Sequence, residues 1–256
     1  MKIWGLEIVL LVVGMNASAA WTPGPLVILG ELPGSATAWE RTVTQGNRSV
    51  RLSGVSFRTP DCEFQVLDNP PQARRSLAAA LEAAGAVAGA NGGYFHKDQK
   101  PLGLVISGGK TLHVFERAKL LSGILELRNG RTALVRAEKF QASASVQEAL
   151  QAGPWLVEGG AVISGLHAGR MARRTVVAMT GRSHWMLLAT SPVTLAELGE
   201  VLTLPGLSGK ENIREALNLD GGSSTLLLAL REGRPLLDIP SFGSVRNYLA
   251  IVPRHR

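Results

Sequence analysis

The stretch GILELRNGRTALVR, residues 123–136, decides the fold class. Two short apolar runs, residues 123–127 and 132–136, flank Asn129-Gly130, a dipeptide that readily takes the positive φ of a tight hairpin turn. An antiparallel pair is expected here. Working outward, residues 86–90, 102–106 and 111–115 read as further strands. Residues 175–180 and 184–190 form a second hairpin across Gly181-Arg182-Ser183, and residues 224–230 and 245–252 are the last strands. Before residue 60, Leu26-Val27-Ile28-Leu29 and Val50-Arg51-Leu52 are broken by Gly and Pro in the same manner.

Four segments read as helices: residues 72–84, between Pro70-Pro71 and Gly85, and residues 146–151, 194–202 and 212–217. They fall between hairpins and do not alternate with every strand. The expected fold is therefore α+β, a β-rich mixed sheet with several flanking helices. No fixed repeat or charged linker divides it, so one domain is expected over residues 21–256.

The chain has 256 residues, 45% of them hydrophobic and 18% charged, enough for a substantial core and unlike a disordered tail or a coiled coil. Cys62 is the one cysteine, which excludes an intramolecular disulfide and a cysteine-based zinc or iron-sulfur centre. Lys plus Arg number 27 against 20 Asp plus Glu, so anionic partners are favoured. Nucleic acid is not expected, because the basic residues are scattered and aromatic residues make up only 5%.

Residues 1–20 begin with Lys2, run through an apolar segment from Ile8 to Met15 and end in Asn16-Ala17-Ser18-Ala19-Ala20, small residues suited to signal peptidase. The apolar run is shorter than the roughly 20 residues that span a bilayer. A signal peptide over residues 1–20 is expected, giving a periplasmic or secreted protein without stable membrane insertion after cleavage.

Two segments depart from core patterning: Asn91-Gly92-Gly93-Tyr94-Phe95 and Asn218-Leu219-Asp220-Gly221-Gly222-Ser223-Ser224. Each sets polar side chains and paired glycines beside an apolar strand, where backbone N–H groups can approach a ligand closely. Asp220 is one of only five aspartates and sits at the mouth of a strand, where a turn alone would accept many residues. Two other motifs fail. Gly109-Lys110-Thr111 lacks the glycine spacing of a phosphate loop, and Ser223 and Ser224 lack the second glycine of a nucleophile elbow. No second Asp or His stands at ligand spacing from Asp220, so no metal site is assigned.

These segments resemble the ordered landmarks of the phosphodiester glycosidase family, together with Pro101-Leu102-Gly103-Leu104, Gly153-Pro154-Trp155-Leu156-Val157, Arg174-Thr175 and Val245-Arg246-Asn247. Members of that family include the lysosomal enzyme that uncovers mannose 6-phosphate. With the expected signal peptide, the resemblance implies an exported hydrolase acting on a phosphorylated glycan or glycoconjugate of the N-acetylglucosamine-1-phosphodiester type, and no cofactor is assigned. It implies catalytic roles for Asp220 and Arg174. Substrate contacts fall to Asn91, Gly92, Gly93, Asn218, Gly221, Gly222, Ser223, Ser224, Arg246 and Asn247. The closing element departs from the family pattern by placing Arg246 directly beside Asn247. Glu158, Glu63 and His96 are further acid–base candidates by residue type, and a non-catalytic module that binds envelope polysaccharide is the alternative function.

Overall fold

The computed structural model describes residues 20–209 and 211–254. The expected signal segment, apart from Ala20, lies outside them. Eighteen strands, all paired antiparallel among the described residues, form three sheets. The first has eight strands in the order β1 (Thr22–Leu32), β2 (Ala36–Gln45), β3 (Arg48–Arg58), β14 (His184–Thr190), β13 (Thr175–Met179), β15 (Glu215–Asn218), β11 (Trp155–Glu158) and β12 (Ala161–Val162). The second runs β7 (Lys110–His113), β6 (Val105–Ser107), β10 (Val146–Ala152), β8 (Gly123–Arg128), β9 (Arg131–Arg136). The third runs β17 (Arg234–Ile239), β16 (Leu227–Arg231), β5 (Ala88–Asn91), β18 (Asn247–Pro253), β4 (Cys62–Asp68).

Period-two alternation builds the core. In β14, Trp185, Leu187 and Ala189 face a central cluster shared by all three sheets, while Met186 and Leu188 face the opposite side. Phe64 of β4 bridges the central cluster, edge-on to both Phe57 at 4.9 Å and Trp185 at 5.7 Å. The outer face of the eight-stranded sheet packs on α2 (Leu195–Leu202) through Leu198, Val201 and Leu202. The third sheet packs on α1 (Leu77–Ala84) through Leu77, Ala80 and Leu81. Both helices carry N-cap side chains, Ser76 and Thr194, and the latter completes a capping box with Glu197.

Only two α-helices are present among the described residues, so the expectation of several flanking helices on a mixed sheet is corrected to three antiparallel sheets with two helices. Residues 146–151 lie in β10, at the centre of the second sheet. There Glu148, Ala149, Leu150 and Gln151 are all buried, and ladder bonds outweigh the helix propensity of Glu, Ala, Leu and Gln. Residues 212–217 run into β15, held between β13 and β11. The first helix is shorter than expected, because residues 71–73 make a separate 3₁₀ turn before Ser76. No helix among the described residues is long and apolar enough to cross a membrane.

Candidate active site

The two glycine-rich segments meet where the three sheets converge. Asn91 ends β5, Asn218 ends β15, Thr175 opens β13 and Asn247 opens β18. Backbone bonds lace these ends together: Asp220 N–H donates to Gly92 O at 3.1 Å, Leu219 N–H to Thr175 O at 2.8 Å and Gly92 N–H to Asn247 O at 2.9 Å. A Cβ on Gly92 would overlap the Asn247 side-chain oxygen, so the close approach requires glycine there.

The three asparagines are buried and bonded to the protein. Asn91 donates to Asp220 O at 2.7 Å and accepts from Thr175 Oγ1 at 2.6 Å and from Leu226 N–H at 3.1 Å. Asn218 donates to Tyr94 Oη at 2.8 Å and to Gly153 O at 3.0 Å. Asn247 accepts from Gly93 N–H at 2.8 Å. Asn218 Oδ1 and Asn247 Nδ2 are buried without a partner among the described residues.

In front of this scaffold is a pocket of about 360 Å³ lined by Asp220, Arg174, Gly221, Gly222, Tyr94, Arg170 and His167 among others. Asp220 follows a strand, not the expected helix. Burial pushes its carboxyl above the ordinary aspartate range, against hydrogen bonds from Ser224 and from Gly221 N–H, the latter at 2.7 Å. Arg174 is buried. Its Nε donates to Val193 O at 3.1 Å and its Nη2 to Arg170 O at 2.7 Å, and desolvation lowers its affinity for the proton. An anion in the pocket would offset that desolvation. The Tyr94 hydroxyl donates to Gly153 O at 2.5 Å, and burial together with the Asp220 charge pushes its pKa well up. Tyr94 is therefore a neutral hydroxyl beside the carboxylate.

Of the residues singled out in the sequence, Asp220, Arg174, Gly221 and Gly222 line the pocket together. Ser224 stands behind Asp220, and the exposed Ser223 turns its carbonyl to Phe242 N–H at 2.8 Å. Arg246 forms an ion pair with Asp68, away from the pocket lining. Glu158 pairs with Arg136 at 2.7 Å and Glu63 with Arg254 at 3.1 Å, and neither lines the pocket, nor does His96. Three polar lining residues, Tyr94, His167 and Arg170, have no role in the sequence reading. Tyr94 sits inside the first motif. Arg170 and His167 belong to Ser164-Gly165-Leu166-His167-Ala168-Gly169-Arg170, a Gly-rich basic stretch just ahead of Arg174 that carried a usable signal. His167 Nδ1 accepts from Gly169 N–H at 3.2 Å and Arg170 N–H at 3.3 Å, which leaves Nε2 as the protonated nitrogen of the neutral ring.

The model of the phosphodiester glycosidase family matches residues 84–252, two thirds of the chain, and this span holds every pocket residue named above. The chain belongs to the phosphodiester glycosidase family. Comparison with curated proteins finds no match. Among solved structures, the chain is similar to the zebrafish N-acetylglucosamine-1-phosphodiester alpha-N-acetylglucosaminidase catalytic domain, auto-inhibited by its pro-peptide. The TM-score is 0.60 at 16% identity, over 93% of this chain and 85% of that one. It is also similar to a hypothetical protein from Synechocystis, with a TM-score of 0.58 at 16% identity, over 86% of this chain and 62% of that one. A third likeness is to a Burkholderia pseudomallei protein described as exported, with a TM-score of 0.59 at 12% identity, over 80% and 74%. At such identities the likeness is one of fold.

Proposed function

We propose that this member of the phosphodiester glycosidase family is an exported hydrolase that cleaves N-acetylglucosamine-1-phosphodiesters at the anomeric carbon, in envelope or exopolysaccharide metabolism. The observation that carries this reading is the pocket's composition: Asp220 is the one carboxylate lining it among the described residues, and Arg170 and Arg174 line it as well. Glycosidases that expel an alcohol need a second carboxyl group to protonate the leaving oxygen. A phosphate monoester leaves without that help, so one carboxylate and a cationic phosphate clamp suffice. Asp220 faces the anomeric carbon and takes the proton of the attacking water. The C1–O bond breaks, and the phosphate stays paired with Arg174 and Arg170. His167, which also lines the pocket, adds a ring N–H donor, whereas the N–H groups of Gly221 and Gly222 are already given to Asp220 Oδ1 and to Arg173 O.

Hydrolysis in ¹⁸O-labelled water tests the bond cleaved. Label is expected at the anomeric oxygen of free N-acetylglucosamine, and label in the phosphate would mean attack at phosphorus. Asp220→Asn keeps the shape and removes the charge, so kcat should fall at least about 10²-fold. Saturable binding of the diester by the wild-type protein with no turnover would support the polysaccharide-binding alternative instead. Mass spectrometry of the protein from its host should find an N-terminus near Ala20, and an intact Met1 in the cytosol would overturn export.

A further inference from the structure

Next to the pocket is a second cavity, of about 580 Å³, lined by Thr42, Ser49, Arg51, Ser53, Arg173 and Ser191 among others. Residues 49, 51 and 53 alternate along β3, and the register sets Thr42 opposite Arg51, so four of these side chains share one face of the eight-stranded sheet. The wall is pinned to the loop after β14: Arg51 N–H donates to Ser191 Oγ at 3.0 Å, and Ser191 N–H to Arg51 O at 2.9 Å. One residue earlier, Thr190 N–H donates to Arg174 O at 2.9 Å. Arg173 lines this cavity and Arg174 lines the pocket, so the two share one short piece of backbone.

Neither Arg51 nor Arg173 has a carboxylate within ion-pair distance among the described residues. Arg173 Nη2 donates to Pro240 O at 2.8 Å and to Thr225 O at 2.5 Å, and its guanidinium lies 4.7 Å from the Phe242 ring. This leaves Nε and Nη1 without a protein acceptor among the described residues, and burial disfavours the charged form. Glu40 accepts from Ser53 at 2.7 Å and supplies one negative charge against the two guanidiniums. The groove is net positive and rich in hydroxyls, which suits a phosphate flanked by sugar oxygens.

We propose that this groove is a second phosphate subsite, which holds a neighbouring phosphate of a poly(sugar-1-phosphate) chain while the diester to be cleaved lies against Arg174 and Asp220. The choice of chain rests on the functional reading above. The groove's charge and donors do not.

Arg51 is exposed and makes no ion pair among the described residues, so Arg51→Ala and Arg51→Glu should fold normally. Two substrates separate the sites: N-acetylglucosamine-1-(methyl phosphate), which fills only the pocket, and a tetramer of N-acetylglucosamine linked through 1-phosphodiesters. Both variants should keep wild-type kcat/KM on the methyl diester. On the tetramer KM should rise about tenfold for Arg51→Ala and further for Arg51→Glu, with kcat retained. Equal effects on the two substrates, or none on either, would overturn the subsite. If the wild-type protein turns over neither substrate, the hydrolase reading fails, and calorimetric titration with the tetramer still decides about the groove. Binding at least about tenfold weaker in Arg51→Glu supports it, whereas unchanged or absent binding overturns it.

Discussion

The Asn91 side-chain amide donates to the Asp220 main-chain carbonyl at 2.7 Å, joining two motifs 129 residues apart in the chain. The same side chain accepts from Thr175 Oγ1 and Leu226 N–H, so one buried amide sets the relative position of the third sheet, the first sheet and the candidate catalytic carboxylate. Removing it leaves the buried Thr175 hydroxyl and Leu226 N–H without an acceptor and the Asp220 carbonyl without its donor.

Asn91→Ala should therefore cost stability of about 2–4 kcal/mol, since two buried donors, Thr175 Oγ1–H and Leu226 N–H, and one part-buried acceptor, Asp220 O, each lose a partner. Asn91→Asp keeps the acceptor and loses the donor, so it should fold better than Asn91→Ala and still lose most of kcat. Thermal unfolding and steady-state kinetics on both variants check this. Full activity in Asn91→Asp would break the link between Asn91 and the position of Asp220.

The acidic limb of the rate profile follows from the burial of Asp220. A carboxylate held above the ordinary aspartate value of about 3.9 is ionised only at higher pH, so kcat/KM should fall with decreasing pH at a midpoint above that value. Asp220→Glu should move that midpoint. A limb unchanged in Asp220→Glu would belong to another group.

Glu148 predicts how stability varies with pH. Its two oxygens accept from Val66 N–H and Gly108 N–H, each at 2.9 Å, and burial pushes its carboxyl up to about 7 from an ordinary 4.5. The folded state binds this proton more tightly than the unfolded chain does. Glu148 therefore favours folding fully below about pH 4.5, and that contribution is lost as pH rises to 7, by about 3 kcal/mol at most. Glu148→Gln should flatten the slope of stability over this window in urea titrations. An unchanged slope would assign the dependence elsewhere.

Arg246 is predicted to act on stability first. Its guanidinium is paired with Asp68, and its main-chain carbonyl accepts from Asn69 N–H at 3.0 Å. Arg246→Ala should lower stability by about 1–3 kcal/mol, between an exposed and a fully buried ion pair. Its kcat/KM should fall less than about tenfold. Intact stability with a large kinetic loss would return Arg246 to direct substrate contact.

Local chemistry alone determined the hairpin β8–β9. Asn129 and Gly130 adopt φ values of 50° and 71°, as the dipeptide demands, and strand residues pair outward from that turn. The same holds for α2, whose capping box lies within four residues, and the two glycine-rich motifs that stand at the candidate site were visible as departures from core patterning. Tertiary structure decided the rest. Residues 146–151 and 212–217 favour a helix by a few tenths of a kcal/mol per residue. As inner strands, residues 146–151 and 215–217 also gain ladder bonds on two sides and bury apolar side chains, and that gain is larger. Partner choice was equally hidden: Asn91 to Asp220, Arg246 to Asp68, and Arg173 and Arg174 to neighbouring cavities. Such pairings depend on which strand ends the three sheets bring together, and no pattern within a short window of sequence encodes that.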